Sequence, residues 1–413
     1  MMTEKLSIMN SQLKTNRRIV VMENGLISTY TMRNELMLAL LNQNFEVHVL
    51  THTNQFKKEV EDSGLKVYHV GSGNTNPLKI LMYVCKVFYF MRRVQPDVCL
   101  TFSVRPAIWG NIVARILGIP VIANISGIGP LFSSKNMAYR FIRFIYPFAL
   151  SKTEKIFFQN EEDRETFISH RFIIRQKTDR IPGSGVDYLK FAPVPCINKI
   201  TKNFSFLFIG RLVKDKGILE FIEAAKIMKA QNPAINFKVI GPLWQQNLRS
   251  NTLTKKVVYQ WVSEGIIEYE GEKKDVRKDI AAADCIVLPS YREGISNVLL
   301  EAASMEKACI ATNVTGCKEI IEDGKTGLLC RVRDASDLAA KMKQMIALPE
   351  SALMEMGKQA RQKMIREFDK RIVLNCYLKE IKNISSKSEV NPVNLSRMIH
   401  FSSMPSLAKS NAV

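Results

Sequence analysis

The feature that most constrains the fold of this 413-residue chain is a repeated alternation of short apolar runs with helical stretches. Runs such as Arg18–Met22, Val47–Leu50 and Val121–Ile125 are hydrophobic on both faces, which is typical of strands buried in a parallel sheet. Stretches between them, such as Leu78–Val94, have the periodicity of amphipathic helices. The alternation therefore predicts an α/β fold with doubly wound parallel sheets.

The alternation occurs twice along the chain. It is interrupted after Gly183-Ser184-Gly185 by a proline-bearing stretch and restarts at Phe204. We therefore predict two Rossmann-like domains that face each other across a cleft, with residues 1–190 in the first, a linker at 191–200 and residues 201–369 in the second. A helix at 370–384 is expected to pack back on the first domain. The tail 385–413 is rich in Ser, Asn and Pro and is predicted to be disordered.

Composition excludes several classes of protein. The formal net charge of +20 leaves nucleic acid, anionic lipid and anionic small ligands as partners. Eight cysteines without a Cys-x-x-Cys pair, and five histidines without metal-ligand spacing, predict a reducing compartment and no metal centre. Residues 1–18 lack the apolar core of a signal peptide, and the uncharged run 116–134 is broken by Gly and Pro, so we predict a cytoplasmic protein. The absence of Gly-x-Gly-x-x-Gly after the first strand argues against a dinucleotide oxidoreductase.

The stretch Ser290–Glu301 has the pattern of a ligand-binding turn. A predicted buried strand, Cys285–Leu288, precedes it, Glu293 lies on the turn, and a helix with Ser296 or Asn297 as its N-cap follows. In open parallel sheets ligands bind beyond the carboxyl ends of the strands, where a helix N-terminus favours phosphate. Carboxylates on either side of a bound diphosphate suit a nucleotide sugar, although a capping role for one and a solvated position for the other remain alternatives on spacing alone.

A second turn adds cations to the same domain. Arg211 follows the strand that ends at Ile209, and Lys216-Gly217 precedes the next helix. A guanidinium fork and a mobile ammonium can together bind a diphosphate, and a solvated basic loop is the alternative for this turn taken alone. The chain contains no Asp-x-Asp, so we predict that the diphosphate is bound without a metal ion.

These motifs resemble a known family. GRLVKDKG, and the run from DVRKDIAAADCIVLPSYREGISNVLLEAAS to EDGKTGLL, resemble the donor half of the family 4 retaining glycosyltransferases, which have the GT-B fold. The first half is similar to the family in NPLKI, FSVRPAIWGNIVARILGIPVIANISGIGPLF and GSGVD. The resemblance covers about residues 18–380 and is to members that build capsule, O-antigen or lipid-linked oligosaccharides in bacteria.

The resemblance implies roles for individual residues. Glu293, Arg211 and Lys216 would be catalytic, with the two cations neutralising the departing diphosphate and Glu293 contacting the transferred sugar. Glu301 would bind the ribose hydroxyls. Many relatives have a histidine after the fifth strand, where this chain has Ser126, so Ser126 or its backbone is expected to contact the sugar. The full predicted donor-binding set is Gly25, Ser126, Arg211, Lys216, Gly294, Ile295, Ser296, Asn297 and Glu301.

Basic charge is concentrated in one part of the first domain. From Lys79 to Lys152 ten Lys and Arg residues accompany a single acidic residue, Asp97, and aromatic residues are interleaved with them. Cations beside an apolar stripe suit an anionic membrane surface. The alternative is a set of core aromatics with a solvated basic face.

We therefore predict a retaining, metal-independent hexosyltransferase or N-acetylhexosaminyltransferase without a cofactor. It would move a sugar from a UDP-sugar to a hydroxyl of a lipid-linked glycan in surface polysaccharide synthesis, at the inner face of the cell membrane and without a nucleic-acid partner. Two alternatives remain open. A nucleotide-sugar epimerase of GT-B fold would form product without an acceptor, and a basic nucleic-acid-binding protein would show strongly salt-dependent binding.

Overall fold

The computed structural model describes residues 17–71, 76–129, 131–132, 136–194, 203–243 and 253–390. Within these ranges the chain forms two α/β domains, each built on its own parallel sheet, which confirms the predicted fold class. The predicted linker lies partly, and the predicted disordered tail mostly, outside the described residues.

The first sheet has seven parallel strands in the order β3-β2-β1-β4-β5-β6-β7. Its strands are β1 Arg18–Met22, β2 Glu46–Thr51, β3 Lys66–His69, β4 Val98–Phe102, β5 Val121–Ile125, β6 Lys155–Phe158 and β7 Thr178–Arg180. The helices of this domain are α1 Leu26–Thr31, α2 Asn34–Asn42, α3 Lys57–Asp62, α4 Pro77–Val94, α5 Asn111–Leu117, α6 Met137–Leu150 and α7 Glu161–Ser169, with a π-helical turn Pro106–Gly110 and a 3₁₀ turn Arg175–Lys177.

The second sheet has six parallel strands in the order β10-β9-β8-β11-β12-β13. Its strands are β8 Ser205–Ile209, β9 Asn236–Ile240, β10 Glu268–Tyr269, β11 Cys285–Leu288, β12 Ala308–Thr312 and β13 Leu328–Cys330. Its helices are α8 Ile218–Gln231, α9 Lys255–Ser263, α10 Arg277–Ala282, α11 Asn297–Ser304, α12 Ala335–Ala347 and α13 Glu350–Glu367, with a 3₁₀ turn Lys214–Lys216, and α14 Lys370–Val390 follows them.

Alternate residues of the central strands face two different helix layers, as a doubly wound sheet requires. Ile19 and Val21 of β1 pack in a cluster with residues of α2 and α14, whereas Val20 and Met22 pack in a cluster with α4 and α5. Since both faces are covered, most positions of such a strand are apolar, and this is the pattern from which the sheet was predicted.

Several elements differ from the predicted ones. The sequence predicts one helix at Met32–Asn42, where the structure has α2, and the short helix α1 before it was not predicted. Arg33, between the two helices, pairs with the buried Glu23. Helices α6 and α7 were not predicted. The first contains Pro147, a residue that usually ends a helix, and the second buries only Asp163 and Phe167, so it has no regular apolar stripe.

The last helix returns to the first domain. Val373, Tyr377, Ile381 and Ile384 of α14 are buried in the same cluster as β1 and β4. The helix continues to Val390, so the tail predicted to be disordered from 385 begins inside a helix, and residues 391–413 lie outside the described part. Among the described helices, none combines the length and the apolar character that crossing a membrane requires.

The chain passes between the two domains twice, and the two connecting segments, called the crossings here, lie side by side. The segment after β7 leads towards the second domain, and the segment between α13 and α14 leads back. Val186 of the first forms a parallel bridge with Asp369 of the second, and its amide donates to the Phe368 carbonyl at 2.8 Å. A Cβ at Gly185, where φ is +68°, would overlap the backbone of Lys370, so the two crossings are in direct contact.

Candidate active site

Two turns of the second domain meet where its strand order reverses. Strands β8 and β11 are neighbours in the sheet, although two strands and three helices lie between them along the chain. Arg211 follows β8, and Glu293 lies on the turn after β11. Because loops diverge from such a switch point to opposite faces of the sheet, a crevice forms there between them.

Lys216 and Glu293 join the two turns directly. The Lys216 ammonium forms an ion pair with Oε1 of Glu293, and the two side chains are only 22% and 12% exposed. The backbones are also connected, since the Tyr291 amide donates to the Asp215 carbonyl at 2.9 Å. At Gly217, with φ of +74°, a Cβ would overlap the Pro289 carbonyl oxygen, so a larger residue would push the turns apart. Arg211, on the same turn as Lys216, is exposed.

The turn that carries Glu293 is fixed from the opposite side by the loop after β12. The Glu293 amide donates to the Thr315 carbonyl at 3.0 Å, and the Ser296 amide donates to the Gly316 carbonyl at 3.2 Å. Gly316 has a φ of +85°, and a Cβ there would overlap the Glu293 backbone. Ser296 is the N-cap of α11, and its hydroxyl accepts from the Leu299 amide at 3.4 Å. Of the two N-cap candidates, Ser296 therefore takes the position and Asn297 is the first helical residue.

Glu301 lies one helical turn further along α11 and faces a polar cavity of about 300 Å³ between the domains. Asn297, Lys190 and Asp187 line the same cavity. Burial raises the pKa of Glu301 to about 7, and the charge of Lys190 opposes the rise. A half-buried carboxyl beside an amide and an ammonium can accept hydrogen bonds from the hydroxyls of a bound ligand once it is ionised.

The Glu293 turn also contacts the first domain. A Cβ at Gly294 would overlap the Ser126 carbonyl oxygen and lie 2.6 Å from Oε1 of Gln159. The Asn160 amide side chain donates to the Gly294 carbonyl at 3.1 Å. Ile295 is buried at the same contact. The structure therefore brings Ser126, predicted from the first domain, against the predicted donor turn through its backbone.

A cluster of ion pairs surrounds this contact. Glu162 at the start of α7 accepts from the Thr315 hydroxyl and pairs with Arg292 at 3.3 Å and Lys318 at 3.4 Å. Its hydrogen bond with Thr315, the largest cause, and the two cations hold the Glu162 pKa below its usual value. Arg292 also pairs with the buried Asp163. These bonds join α7 of the first domain to both loops that position Glu293.

On the first-domain side, Gly25 is the N-cap of the short helix α1. Its φ of −159° is open to any residue, and a Cβ there would meet only the Thr53 side chain at 3.5 Å. The protein's own backbone and side chains would therefore permit a larger residue at position 25. Nearby Glu23 is buried and pairs with Arg33 at 2.7 Å. Burial raises the pKa of Glu23 to about 7, and Arg33 opposes the rise.

Several residues at this site were not singled out from the sequence. Lys190 beside Glu301 comes three residues after the GSGVD motif, which was interpreted as the approach to a linker. Thr315 and Gly316 lie within the quoted family motif. Their contacts with the Glu293 turn are made by backbone atoms, so the residue types do not reveal them. Asn160 and Glu162 contribute only through the contact between domains. Within the described ranges, no three His, Cys, Asp or Glu side chains are grouped so that they could hold a metal ion.

Two family models match the chain, one on each domain. The model described as "Glycosyl transferase 4-like" matches residues 19–160, and the one described as "Glycosyl transferases group 1" matches residues 203–347. With two Rossmann-like domains and a switch-point site between them, the chain is a glycosyltransferase of the GT-B fold. The resemblance to the family 4 glycosyltransferases that its motifs predicted is confirmed by both models.

Two curated relatives match most of the chain, and a third matches less than half of it. An N,N'-diacetylbacillosaminyl-diphospho-undecaprenol alpha-1,3-N-acetylgalactosaminyltransferase of Campylobacter jejuni is 26% identical, over 89% of this chain and 100% of the relative. A UDP-Gal:alpha-D-GlcNAc-diphosphoundecaprenol alpha-1,3-galactosyltransferase of Escherichia coli is 25% identical, over 80% of this chain and 87% of the relative. A capsular polysaccharide glycosyltransferase of Staphylococcus aureus is 30% identical, over 44% of this chain and 48% of the relative.

Solved structures share the fold at lower identity. A glycosyltransferase from Rickettsia africae matches with a TM-score of 0.73 and 18% identity, over 90% of this chain and 99% of its own. An Anabaena protein in complex with UDP and glucose matches with a TM-score of 0.72 and 18% identity, over 90% of this chain and 100% of its own. At this identity the likeness establishes the fold.

Proposed function

We propose that this glycosyltransferase moves a sugar from a UDP-sugar to a hydroxyl of a lipid-linked glycan, with retention of the anomeric configuration and without a metal ion. The observation that carries the proposal is the pairing of Lys216 with Glu293 at the N-terminal end of α11, where the strand order reverses. A cation, a carboxylate and the amides of a helix start are thereby placed in one crevice. This is the set of groups that a sugar linked to a diphosphate requires.

In this proposal each predicted donor-site residue has a role. Arg211 and Lys216 bind the diphosphate and stabilise the charge that grows on it as the sugar leaves. Glu293 holds hydroxyls of the sugar, and the amides of Gly294, Ile295, Ser296 and Asn297 face the phosphates and the sugar. Glu301 binds the ribose. Gly25 and Ser126 contact the donor from the side of the first domain.

The metal-free mechanism is supported by the ion pair itself. The Glu293 carboxylate already has the Lys216 ammonium as its partner. Cations supplied by side chains can perform the charge neutralisation that Mg²⁺ performs in other enzymes. The two relatives whose names include a diphosphoundecaprenol-linked acceptor are both named for an α-1,3 linkage. Transfer from an α-linked donor to an α-linked product preserves the configuration.

The acceptor part of the proposal is supported by the relatives and by the first domain. Two relatives are named for diphosphoundecaprenol-linked acceptors. Helices α4 and α6 expose large apolar side chains, among them Leu78, Tyr89 and Phe144, next to exposed cations such as Arg92 and Arg93. This combination suits attachment to the anionic inner face of the cell membrane.

The test is a panel of nucleotide sugars, first as ligands and then as donors. A nucleotide sugar that binds the folded protein raises its unfolding temperature. The same compound should transfer its sugar to a diphosphate-linked glycan lipid in the presence of a chelator, giving an α-linked product by NMR. Activity that is lost with the chelator and restored by Mg²⁺ or Mn²⁺ would overturn the metal-free mechanism. Conversion of the donor without an acceptor would favour an epimerase.

A further inference from the structure

The first domain contains a large apolar groove that the donor site does not use. It has a volume of about 900 Å³ and lies between α4, α6 and the π-helical turn. Described residues that line it include Ile80, Leu81, Val84, Trp109, Phe141 and Ile142. A groove of this size and lining can bury most of an apolar ligand of small-molecule dimensions.

The groove reaches the edge of the sheet that faces the donor turn. Asn24, Arg105 and Gly127 line it, and they follow β1, β4 and β5 at their carboxyl ends. A Cβ at Gly127 would lie 3.7 Å from the Gly294 Cα, so the groove begins directly beside the Glu293 turn. A ligand in the groove can therefore present its head group to the sugar that the donor turn holds.

A basic group lies at this edge. The half-buried guanidinium of Arg105 is 6.0 Å from the centroid of the Tyr83 ring. Burial lowers the pKa of His52, and the positive charge of Arg105 lowers it further. His52 follows β2, so the polar groups again come from the carboxyl ends of the strands. A half-buried cation beside an apolar groove favours a ligand that is anionic at one end and apolar along its length.

The surroundings favour a lipid over a second protein chain. Leu81 and Phe141 line the groove, yet they are 58% and 56% exposed, so its walls open to solvent. Cations, not acidic residues, are exposed on the same two helices, and α4 and α6 contain no acidic residue. A second copy of this strongly basic chain would bring like charges together, whereas an anionic lipid is complementary.

We propose that this groove binds the first isoprene units of a polyprenyl diphosphate acceptor and that Arg105 binds its diphosphate. The inference rests on the proposed function, which it extends from a lipid-linked glycan to a stated subsite and a stated lipid class. The lipid chain fixes the position of the acceptor, so that the glycan hydroxyl is directed at the donor sugar bound against Gly294.

Direct binding of farnesyl diphosphate, a short soluble member of the class, tests the groove without any transfer reaction. UDP is added at saturation so that the donor clamp is occupied. Binding is followed by calorimetry and by the fluorescence of Trp109, which lines the groove. Leu81→Gln and Phe141→Ser should each weaken binding about tenfold or more, because each removes apolar area from contact with the chain.

Matched controls lie on the same helices outside the groove. Leu78→Gln and Phe144→Ser replace side chains that are 67% and 81% exposed and do not line it. They should bind farnesyl diphosphate within about twofold of the parent, since no apolar contact with the chain is lost. Absence of binding by the parent, or equal loss in all four variants, would overturn the proposal, since equal loss would show that the groove is not the binding site.

The role of Arg105 is tested with paired ligands. Arg105→Gln should weaken farnesyl diphosphate by an order of magnitude or more, since a charge-assisted contact is lost, and should leave farnesol binding close to that of the parent. Arg105→Lys retains the charge and should recover part of the affinity. Equal effects on both ligands would show that Arg105 only shapes the groove, which would overturn its assignment.

The groove and the proposed function can fail separately. If farnesyl diphosphate binds with the expected variant pattern but no glycan lipid accepts a sugar, the proposed acceptor is wrong and the lipid subsite stands. If a lipid-linked acceptor is glycosylated and its KM is the same for farnesyl and for methyl diphosphate carriers, the transferase stands and the groove proposal is overturned.

Discussion

At the residue scale, the donor site depends on charges that come together only in the folded chain. Arg211 and Lys216 precede Glu293 by more than seventy positions, yet the Lys216 and Glu293 side chains are in contact. The types and spacing of these residues could be predicted from the sequence. Their pairing could not, because it depends on which strands are neighbours in the sheet. The same reason explains why Lys190 was missed beside Glu301.

Removal of either cation of the clamp should slow transfer. Arg211→Ala and Lys216→Ala each remove a group that stabilises charge on the departing diphosphate, so kcat should fall about 10²-fold. Steady-state kinetics with the identified donor measure this. Lys343→Ala, an exposed change on α12 away from the switch point, is the control. A kcat within about twofold of the parent for both clamp variants would exclude the assigned role.

Glu301 should make donor binding pH-dependent. Its pKa is raised to about 7, so the ionised form that accepts ribose hydroxyls becomes populated only as the pH rises through that value. Affinity for the nucleotide sugar should therefore increase from about pH 6 to about pH 8 in the parent, by up to about tenfold for one titrating group. Glu301→Gln should bind more weakly at the higher pH and show a flatter profile in calorimetry.

The same shift has the opposite sign for the stability of the unliganded protein. The folded-state pKa of Glu301 lies above the ordinary value of 4.5, so the folded protein binds the proton more tightly. This contribution to the free energy of unfolding is complete below the unfolded pKa and is lost as the pH rises through about 7. In Glu301→Gln the free energy of unfolding should therefore decrease less between about pH 4.5 and about pH 7 than it does in the parent. An unchanged stability profile would contradict the raised pKa.

At the scale of elements, the Glu293 turn is positioned by backbone contacts from three directions. The Asp215 turn, the Gly316 loop and the Ser126 loop each approach it closely, and glycines occur at the closest points. Strand, turn and helix were predictable here, because an apolar strand and an N-cap flank the turn. The helices α4 and α6, which expose large apolar side chains, were only partly predictable, since Pro147 inside α6 is a residue that usually ends a helix.

Gly294→Ala should separate the donor turn from the first domain. The added Cβ would overlap the Ser126 carbonyl oxygen, so the domains cannot keep their present contact. We expect a fall in kcat of about tenfold to a hundredfold, since small displacements of reacting groups are costly. Small-angle scattering should show a larger radius of gyration. Asn160→Ala, which removes one hydrogen bond to the same residue without adding volume, should have a smaller effect on both measurements.

Helix α4 should attach the protein to anionic vesicles. Its cations Lys79, Lys86, Arg92 and Arg93 are exposed, and each contributes about 1 kcal/mol near an anionic surface. The parent should sediment with anionic vesicles and be partly released by salt, and reversal of all four to glutamate should abolish sedimentation. Arg143 on α6 is excluded from this set because it is half-buried and donates to the Leu131 carbonyl at 2.6 Å.

The control for this experiment changes the same charge elsewhere. Lys226, Lys255, Lys256 and Lys358 lie on exposed faces of the second domain, and their reversal gives the same net charge. If sedimentation is lost equally in both variants, total charge and not α4 determines attachment. Far-UV circular dichroism verifies that both variants are folded.

At the scale of the whole molecule, α14 makes the first domain depend on the end of the chain. Tyr377 is buried between Phe102 and Phe157, and its hydroxyl bonds to the Asn124 side chain at 2.9 Å. The return of this helix to the first domain was predicted. Its length to Val390 was not, because the serines after Ile384 have the composition of a disordered tail.

Tyr377→Ala should therefore destabilise a domain that lies almost entirely earlier in the chain. Loss of a buried aromatic ring costs about 3–5 kcal/mol, so the urea midpoint of the first domain should decrease strongly. Tyr377→Phe removes only the hydroxyl and should cost about 1 kcal/mol. If the two variants are equally stable, the ring makes no packing contribution and α14 is not part of the first-domain core.

The contact between the two chain crossings also limits how the domains can move. Val186 and Asp369 are bridged, and Gly185 touches Lys370, so both connections pass through one place. Any rotation of one domain relative to the other must have its axis near that place. For a given angle of rotation, the atoms furthest from this axis move the greatest distance. Opening therefore changes the mouth of the cleft, on the side opposite the crossings, more than its base.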